Sequence, residues 1–423
     1  MYRSKQRYGA MDLLHKLADL PQEALQWVKG KAQTVAHEKK LLESAHRIEL
    51  SPSSVEALKH RLSWILRKSG AAGRAEPLRH QAEDQAVVAA ITRERDAHNQ
   101  NNVSRTAAYL HMYREHPELH WAFLSHMVSR NGGWNMTDLQ GDLLPYLLRE
   151  RDREWVFGFL ERANALIFRD AYPQLLLYRA SLQAGKPLFH LLPAFGVSRF
   201  MRPVWELFWL HREPPLLTIG LIVNEQHFIE HRVVRHPLYR KRVLDRMFFQ
   251  AQSLLQLNQV VFPYRDGDGT RLAGLILENF SSLQERIELG KKLYAVLFGI
   301  PIVLDGAQAF AYEKRHSGSR ADYWPQLFSA VRYGAPVPRG QLKERLDGGR
   351  LRPGASPLYS PRLTDAWPDK ELEAIEPGDW FHEPSVISYF HDIRAPFSFE
   401  MTHEFSFGLS KVEMAVLAGD LWK

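Results

Sequence analysis

Apolar residues recur at helical spacing through most of the chain. Val55, Leu58, Leu62, Ile65 and Leu66 form one such stripe, with Ser53 and Glu56 spaced as a capping box before it and Gly70 placed to end it. A second run covers about 84–95. Asn102 then reads as the N-cap of a helix through Glu115, and Pro117 as the opening of another through Val128, which Arg130-Asn131-Gly132-Gly133 is expected to stop. The same periodicity predicts helices over 146–170, 173–184, 203–211, 216–235, 237–258, 270–298 and 321–332. Leu216 to Val223 is apolar on every side, which predicts a buried helix rather than a surface one.

The pattern changes after residue 333. Eight of the 24 prolines fall within 334–384, with few apolar runs between them, so this stretch is expected to follow the surface as an extended connection. Aromatic residues return after Pro384, and Ser410 caps a predicted C-terminal helix, Lys411 to Leu421. The expected fold is therefore mostly α: a large multi-helix body with a Pro-rich irregular segment and a C-terminal helix. Its divisions are an N-terminal helical appendage (1–84), a main helical body (85–333), the Pro-rich connection (334–384) and a C-terminal segment docking on the body (385–423).

Composition narrows the chemistry. With 423 residues, 45% of them hydrophobic and 24% charged, the chain has the profile of a globular protein able to bury a large core. It has no cysteine, which excludes disulfides, thiolate-ligated metals and a cysteine nucleophile. The net charge of +7 is uneven: 17 basic and 11 acidic residues lie in 1–95, against 12 and 15 in 316–423. The basic N-terminal part leaves room for a peripheral membrane contact, although no block of like charge and no specific nucleic-acid motif occurs. The longest apolar run, Leu293 to Leu304, is interrupted by Gly299 and Pro301 and too short to cross a membrane. The first twenty residues lack the apolar stretch of a signal peptide, so the expected location is cytoplasmic.

Phosphate-binding loops, dinucleotide turns, nucleophile elbows and the HExxH zinc helix are all missing from the sequence. Asp266-Gly267-Asp268-Gly269 starts like a calcium loop, but the glycine and glutamate that such a loop needs further on are Arg271 and Leu277, so a turn is expected. His227-Phe228-Ile229-Glu230-His231 fits the inverted zinc string HxxEH. Among 19 histidines such a match arises cheaply, so His227 and His231 are kept only as metal candidates and no cofactor is assigned. The physical context says more: a wholly apolar helix runs directly into Asn224, Glu225, Glu230 and Arg232, and polar groups entering a core must be paired or functional. Asn101 to Asp138 is the other dense region, offering Arg105, His120, His126, Arg130, Asn131, Trp134, Asn135 and Asp138.

The strings HWAFLSHMVSRNGGWNMTDL (120–139), NEQHFIEHRVV (224–234), HSGSRADYWPQLF (316–328) and KVEMAVLAGDLW (411–422) resemble the YppC family of Bacillus relatives, a family of unknown function. The resemblance runs from about residue 85 to the end. It implies a cytoplasmic protein of spore-forming Gram-positive bacteria and a more variable appendage over 1–84, with no catalytic residue to carry over. Two functions remain. In one, the 101–138 region and the 224–232 helix converge on a small-ligand or enzymatic site. There Glu225 or Glu230 would act as base, His120 or His126 as proton shuttle and Arg130 as anion clamp, with Arg105, Asn131, Trp134, Asn135, Asp138, Asn224 and Arg232 lining it. In the other, the protein is a non-catalytic binder of a protein or membrane surface. The sequence leaves open whether the chain is an enzyme.

Overall fold

A computed structural model describes residues 34–71, 82–244, 258–267, 269–338, 341–347 and 349–421. The basic opening segment, most of the Ala/Gly-rich stretch and the 245–257 part of the helix predicted over 237–258 lie outside the described residues. The fold is mostly α. Its first helices are α1 (34–43), α2 (Pro52–Ala71), α3 (Ala82–His98), α4 (Asn102–Glu115), α5 (His120–Asp138) and the single turn α6 (Leu144–Leu147). After them come α7 (Glu150–Ala184), α8 (Met201–His211), α9 (Pro214–Ile229) and the short α10 (Pro237–Tyr239). A hairpin, β1 (Gln259–Asp266) with β2 (Gly269–Ile276), leads to α11 (Leu283–Gly299) and α12 (Pro301–Glu313), and α14 (Thr402–Leu421) closes the chain after the single turn α13 (Leu363–Ala366).

The all-apolar helix α9 is the axis of the body. Leu216 to Asn224 are buried without a break, because α5, α7, α8 and α11 pack around this helix. No helix in the described residues is long and apolar enough to cross a membrane; α11 and α12 together have the composition but meet at 90°, where Gly299, Ile300 and Pro301 break the helix. The Pro-rich segment runs irregularly over the body and is anchored by its tryptophans. Trp367 stacks on Phe157 with centroids 4.3 Å apart and donates to the Met136 carbonyl at 2.8 Å, and Trp380 donates to Asn224 Oδ1 at 3.0 Å.

Several expected elements differ. α5 does not stop at Gly132-Gly133 but runs through both to Asp138. The glycines are there for space: a Cβ at Gly133 would lie 2.6 Å from Asn102 Oδ1 and from the His316 ring. α4 is capped by Asn101, whose side chain accepts from the Ser104 amide, and Asn102 is instead buried against that ring. α2 starts at Pro52, a first-turn proline, ahead of the expected cap. α7 passes through Pro173 as one helix of 35 residues. The predicted helix over 270–298 is strand up to Ile276, where Leu272, Ala273 and Gly274 are buried in succession and the apolar run carries no helical period. The predicted helix over 321–332 is a short 3₁₀ turn, Arg320–Asp322, and a two-residue strand, Phe328–Ser329, since Pro325 removes a helical donor. The C-terminal helix begins nine residues early, at Thr402.

Candidate functional site

The chain turns the end of α9 into a polar junction. After Val223 the helix leaves its wholly apolar surroundings, and Glu225 accepts a hydrogen bond from Trp121 Nε1 of α5 at 3.1 Å and one from Gln226 Nε2 at 3.2 Å. Gln226 Oε1 accepts from Arg286 Nε of α11 at 3.0 Å, and Arg286 also holds the Phe280 carbonyl and Glu230. Glu230 opens a π turn, Glu230–Val234, and pairs a second time with Arg235 at 2.6 Å. One hydrogen-bonded row therefore runs from the Trp121 indole to the Arg235 guanidinium.

This row forms part of the wall of a cavity of about 230 Å³ between α5, α7, α9, α11 and the base of the hairpin. Tyr109, Trp121, Phe159 and Phe280 supply aromatic faces; Ser125, Ser129, Asn131, Asn135, Asn164, Gln226, Asn258 and Gln259 supply polar ones. Glu225 keeps accessible surface and lines this space. Burial pushes its carboxyl up to about 8, against smaller opposing effects of its two hydrogen bonds. At neutral pH the group is thus a neutral acid, a hydrogen-bond donor that can still ionise.

Two polar atoms here have no hydrogen-bond partner among the described residues. Asn258 Nδ2 donates to the Leu277 carbonyl at 2.8 Å, which fixes the amide orientation and leaves Oδ1 buried and unpaired; Gln259 Oε1 is also buried and unpaired. Asn131, by contrast, is satisfied: it donates to the Met127 and Val261 carbonyls and accepts from the Val261 amide, tying α5 to β1.

Of the residues singled out by sequence, Glu225, Asn131 and Asn135 line the cavity together. The others are engaged elsewhere. Arg105 is ion-paired to Glu161 at 2.5 Å and Asp138 to Arg320 at 2.6 Å, while Trp134 lies under the Arg320 guanidinium. Arg130 is fully buried, donates to the Lys314 carbonyl at the end of α12 and sits over the Phe310 and Tyr323 rings. His120 bonds Tyr294 and stacks on Phe298, His126 bonds the Thr106 carbonyl, and burial lowers their pKa values to about 4 and about 3. Asn224 belongs to a second buried network with Asp170, Gln174, Trp205 and Trp380. Arg232 caps the Phe228 carbonyl and reaches the wrap at Glu376 and Gly378, away from Glu225.

The HxxEH residues do not converge. His227 stacks on Trp380 at 4.2 Å, Glu230 is held by two arginines, and His231 is exposed. Among the described residues no group of three or more His, Asp and Glu side chains is arranged to hold a metal ion. Sequence reasoning missed Gln226, Arg286, Asn258 and Gln259. Arg286 carried a signal, a charge on the apolar face of its helix beside Ile287; the hairpin residues carried none while their segment read as helix.

Comparison with known proteins agrees with the resemblance carried by the sequence. The profile of a family described as protein of unknown function, DUF2515, matches residues 97–408. The uncharacterized protein YppC of Bacillus subtilis (strain 168) is 37% identical over 325 residues, which is 76% of this chain and 92% of the relative. No solved structure matches.

Proposed function

The chain belongs to the DUF2515 family, and from that premise we propose that it binds a small molecule in the cavity between α5, α7, α9 and α11. The ligand has an apolar body and at least one polar group. One observation carries this reading. Of the neighbouring buried carboxyls, Glu161 is paired with Arg105 and Glu230 with Arg286 and Arg235, while Asp170, held by the Asn224 and Gln174 amides, does not line the cavity. Glu225 has only two neutral donors, and among the described residues it has no ion-pair partner. A buried carboxyl without a cation costs stability, and a ligand that uses it would offset that cost. The lining, largely apolar with a few converging polar groups, is the usual chemistry of a small-molecule site.

Small molecules extracted from the purified, then denatured, full chain and analysed by mass spectrometry test the reading. Ala163→Phe places a ring in the cavity and serves as the comparison. The expected outcome is a compound released by the parent and missing from the variant. Identical extracts from two folded proteins would count against the site.

A further inference from the structure

We propose that the polar group this cavity receives is an organic ammonium: an amine on a small apolar body, held by the Glu225 carboxylate, the acceptors Asn258 Oδ1 and Gln259 Oε1, and the faces of the surrounding rings. The inference rests on the binding reading above and names the ligand class for the same site.

Its first support is an imbalance of hydrogen-bonding capacity. Asn258 and Gln259 are both more than nine-tenths buried and both line the cavity, and among the described residues neither Asn258 Oδ1 nor Gln259 Oε1 has a donor. The Asn258 amide cannot be reversed without setting its oxygen against the Leu277 carbonyl. The missing partners are therefore N–H or O–H groups. Charge supplies the second support. Arg286 lines the cavity, but Nε, Nη1 and Nη2 donate to Gln226, the Phe280 carbonyl and Glu230, so its donors are engaged; Glu230 is shared with Arg235, which is itself exposed to solvent. Among the described residues of the wall, that leaves Glu225 as the carboxyl without a cation, with the rings of Tyr109, Trp121 and Phe159 beside it, whose quadrupoles favour a positive charge; the Phe280 ring already lies under the Arg286 guanidinium at 5.5 Å.

The other titratable groups around Glu225 define its electrostatics. Asp170 from α7 and Tyr109 from α4 act on it or are acted on by it, the former opposing its ionisation. Arg286 from α11 reaches it only through Gln226. The α5 residues on the wall, Trp121, Ser125, Ser129, Asn131 and Asn135, and the hairpin residues Asn258 and Gln259 are uncharged. A cationic head therefore favours the ionised carboxyl directly. The amine enters already protonated, the Glu225 carboxyl loses its proton to solvent, and the charges balance as an ammonium–carboxylate pair.

This gives a proton-linked signature that a neutral or anionic ligand lacks. Titration calorimetry of the full chain with phenethylamine, phenethyl alcohol and hydrocinnamate, in buffers of different ionisation enthalpy, reads both affinity and proton release. The expected result is preference for phenethylamine, release of about one proton near neutral pH, and affinity rising about tenfold per pH unit until the Glu225 pKa is reached. Glu225→Gln should lose that pH dependence and most of the amine affinity, and Ala163→Phe should lose all three probes. If the alcohol binds as well as the amine, if hydrocinnamate is preferred, or if amine binding is independent of pH, the ammonium assignment falls while the cavity remains a binding site. If none of the three binds the folded parent, both fall. Should Glu225→Gln not fold, the ranking and pH slope in the parent decide alone.

Discussion

At the scale of single residues, burial raises two of the described acids far above the usual carboxylate range. The Glu225 carboxyl is pushed up to about 8, and that of Asp170, hydrogen-bonded to Asn224 and Gln174, up to about 7. A carboxyl whose pKa is raised on folding binds its proton more tightly in the native state. Stability is then greatest below the unfolded value and is lost as pH rises toward the folded one, at about 1.4 kcal/mol per pH unit per group. Around and below pH 7 the buried His120, His126 and His227, lowered by burial to about 4, 3 and 4, and His316, lowered by burial as well, add a loss of the opposite sign, because the unfolded chain takes up their protons. The window from about pH 7.5 to 8.5 therefore isolates the acids. Urea unfolding of the parent across it should show stability falling as pH rises, and Glu225→Gln should remove the Glu225 share of that slope. The variant also loses a hydrogen bond worth about 1 kcal/mol at every pH, so the slope is diagnostic and the level is not. Equal slopes in the two proteins would show that Glu225 ionises in the cavity as readily as in water.

At the scale of elements, long amphipathic stretches were legible and special backbone was not. α9 declared itself by having no polar face, and its burial is the consequence. The hairpin did not, because residues buried in succession along a strand carry the same continuous apolar run as a buried helix; the Asp266–Gly269 turn was the readable part. Gly132-Gly133 misled for a physical reason: adjacent glycines signal a helix end unless something packs so closely that a side chain cannot fit. The two positions make opposite predictions. A Cβ at Gly132 meets Asn164 and Asn102 at 3.6–3.7 Å, ordinary contact, so Gly132→Ala should raise stability by up to about 1 kcal/mol through helix propensity. At Gly133 the 2.6 Å approach would wedge apart the Asn102–His316 hydrogen bond, and Gly133→Ala should cost about 1 to 3 kcal/mol despite the same propensity gain. Denaturant midpoints of the two variants check this. Two shifts of the same sign would mean that α5 stands further from the His316 ring than a missing side chain requires.

At the scale of the molecule, the sequence marks a boundary near residue 84 that packing does not respect. Leu41, Ile48, Leu50, Leu58 and Leu62 sit in one apolar cluster with residues of α5, α7, α9 and α11. Polar ties join the same segment to distant parts of the chain. Glu38 accepts from the Phe399 and Glu400 amides at 2.7 and 2.8 Å, Ile48 bridges to Ile393, and Arg61 pairs with Glu206 at 3.1 Å. Sequence could not reveal this, because a stripe of leucines states that a helix has a buried face without saying what covers it. Magnitudes turn the observation into a prediction. Five buried aliphatic side chains at about 1.5 to 3 kcal/mol each amount to roughly 10 kcal/mol, comparable to the entire stability of an ordinary domain. Removing them would also expose their apolar counterparts on α8 and around Phe390 and leave the Phe399 and Glu400 amides without an acceptor. A chain of residues 85–423, although it keeps the cavity lining, should therefore lack a cooperative unfolding transition, bind dyes for exposed apolar surface and be cleaved rapidly under limited proteolysis. Glu38→Ala in the full chain should fold but lose about 1 to 3 kcal/mol through the stranded amides. A truncated chain that melts as sharply and as high as the parent would establish 1–84 as an appendage and confine the stabilising core to residues 85–423.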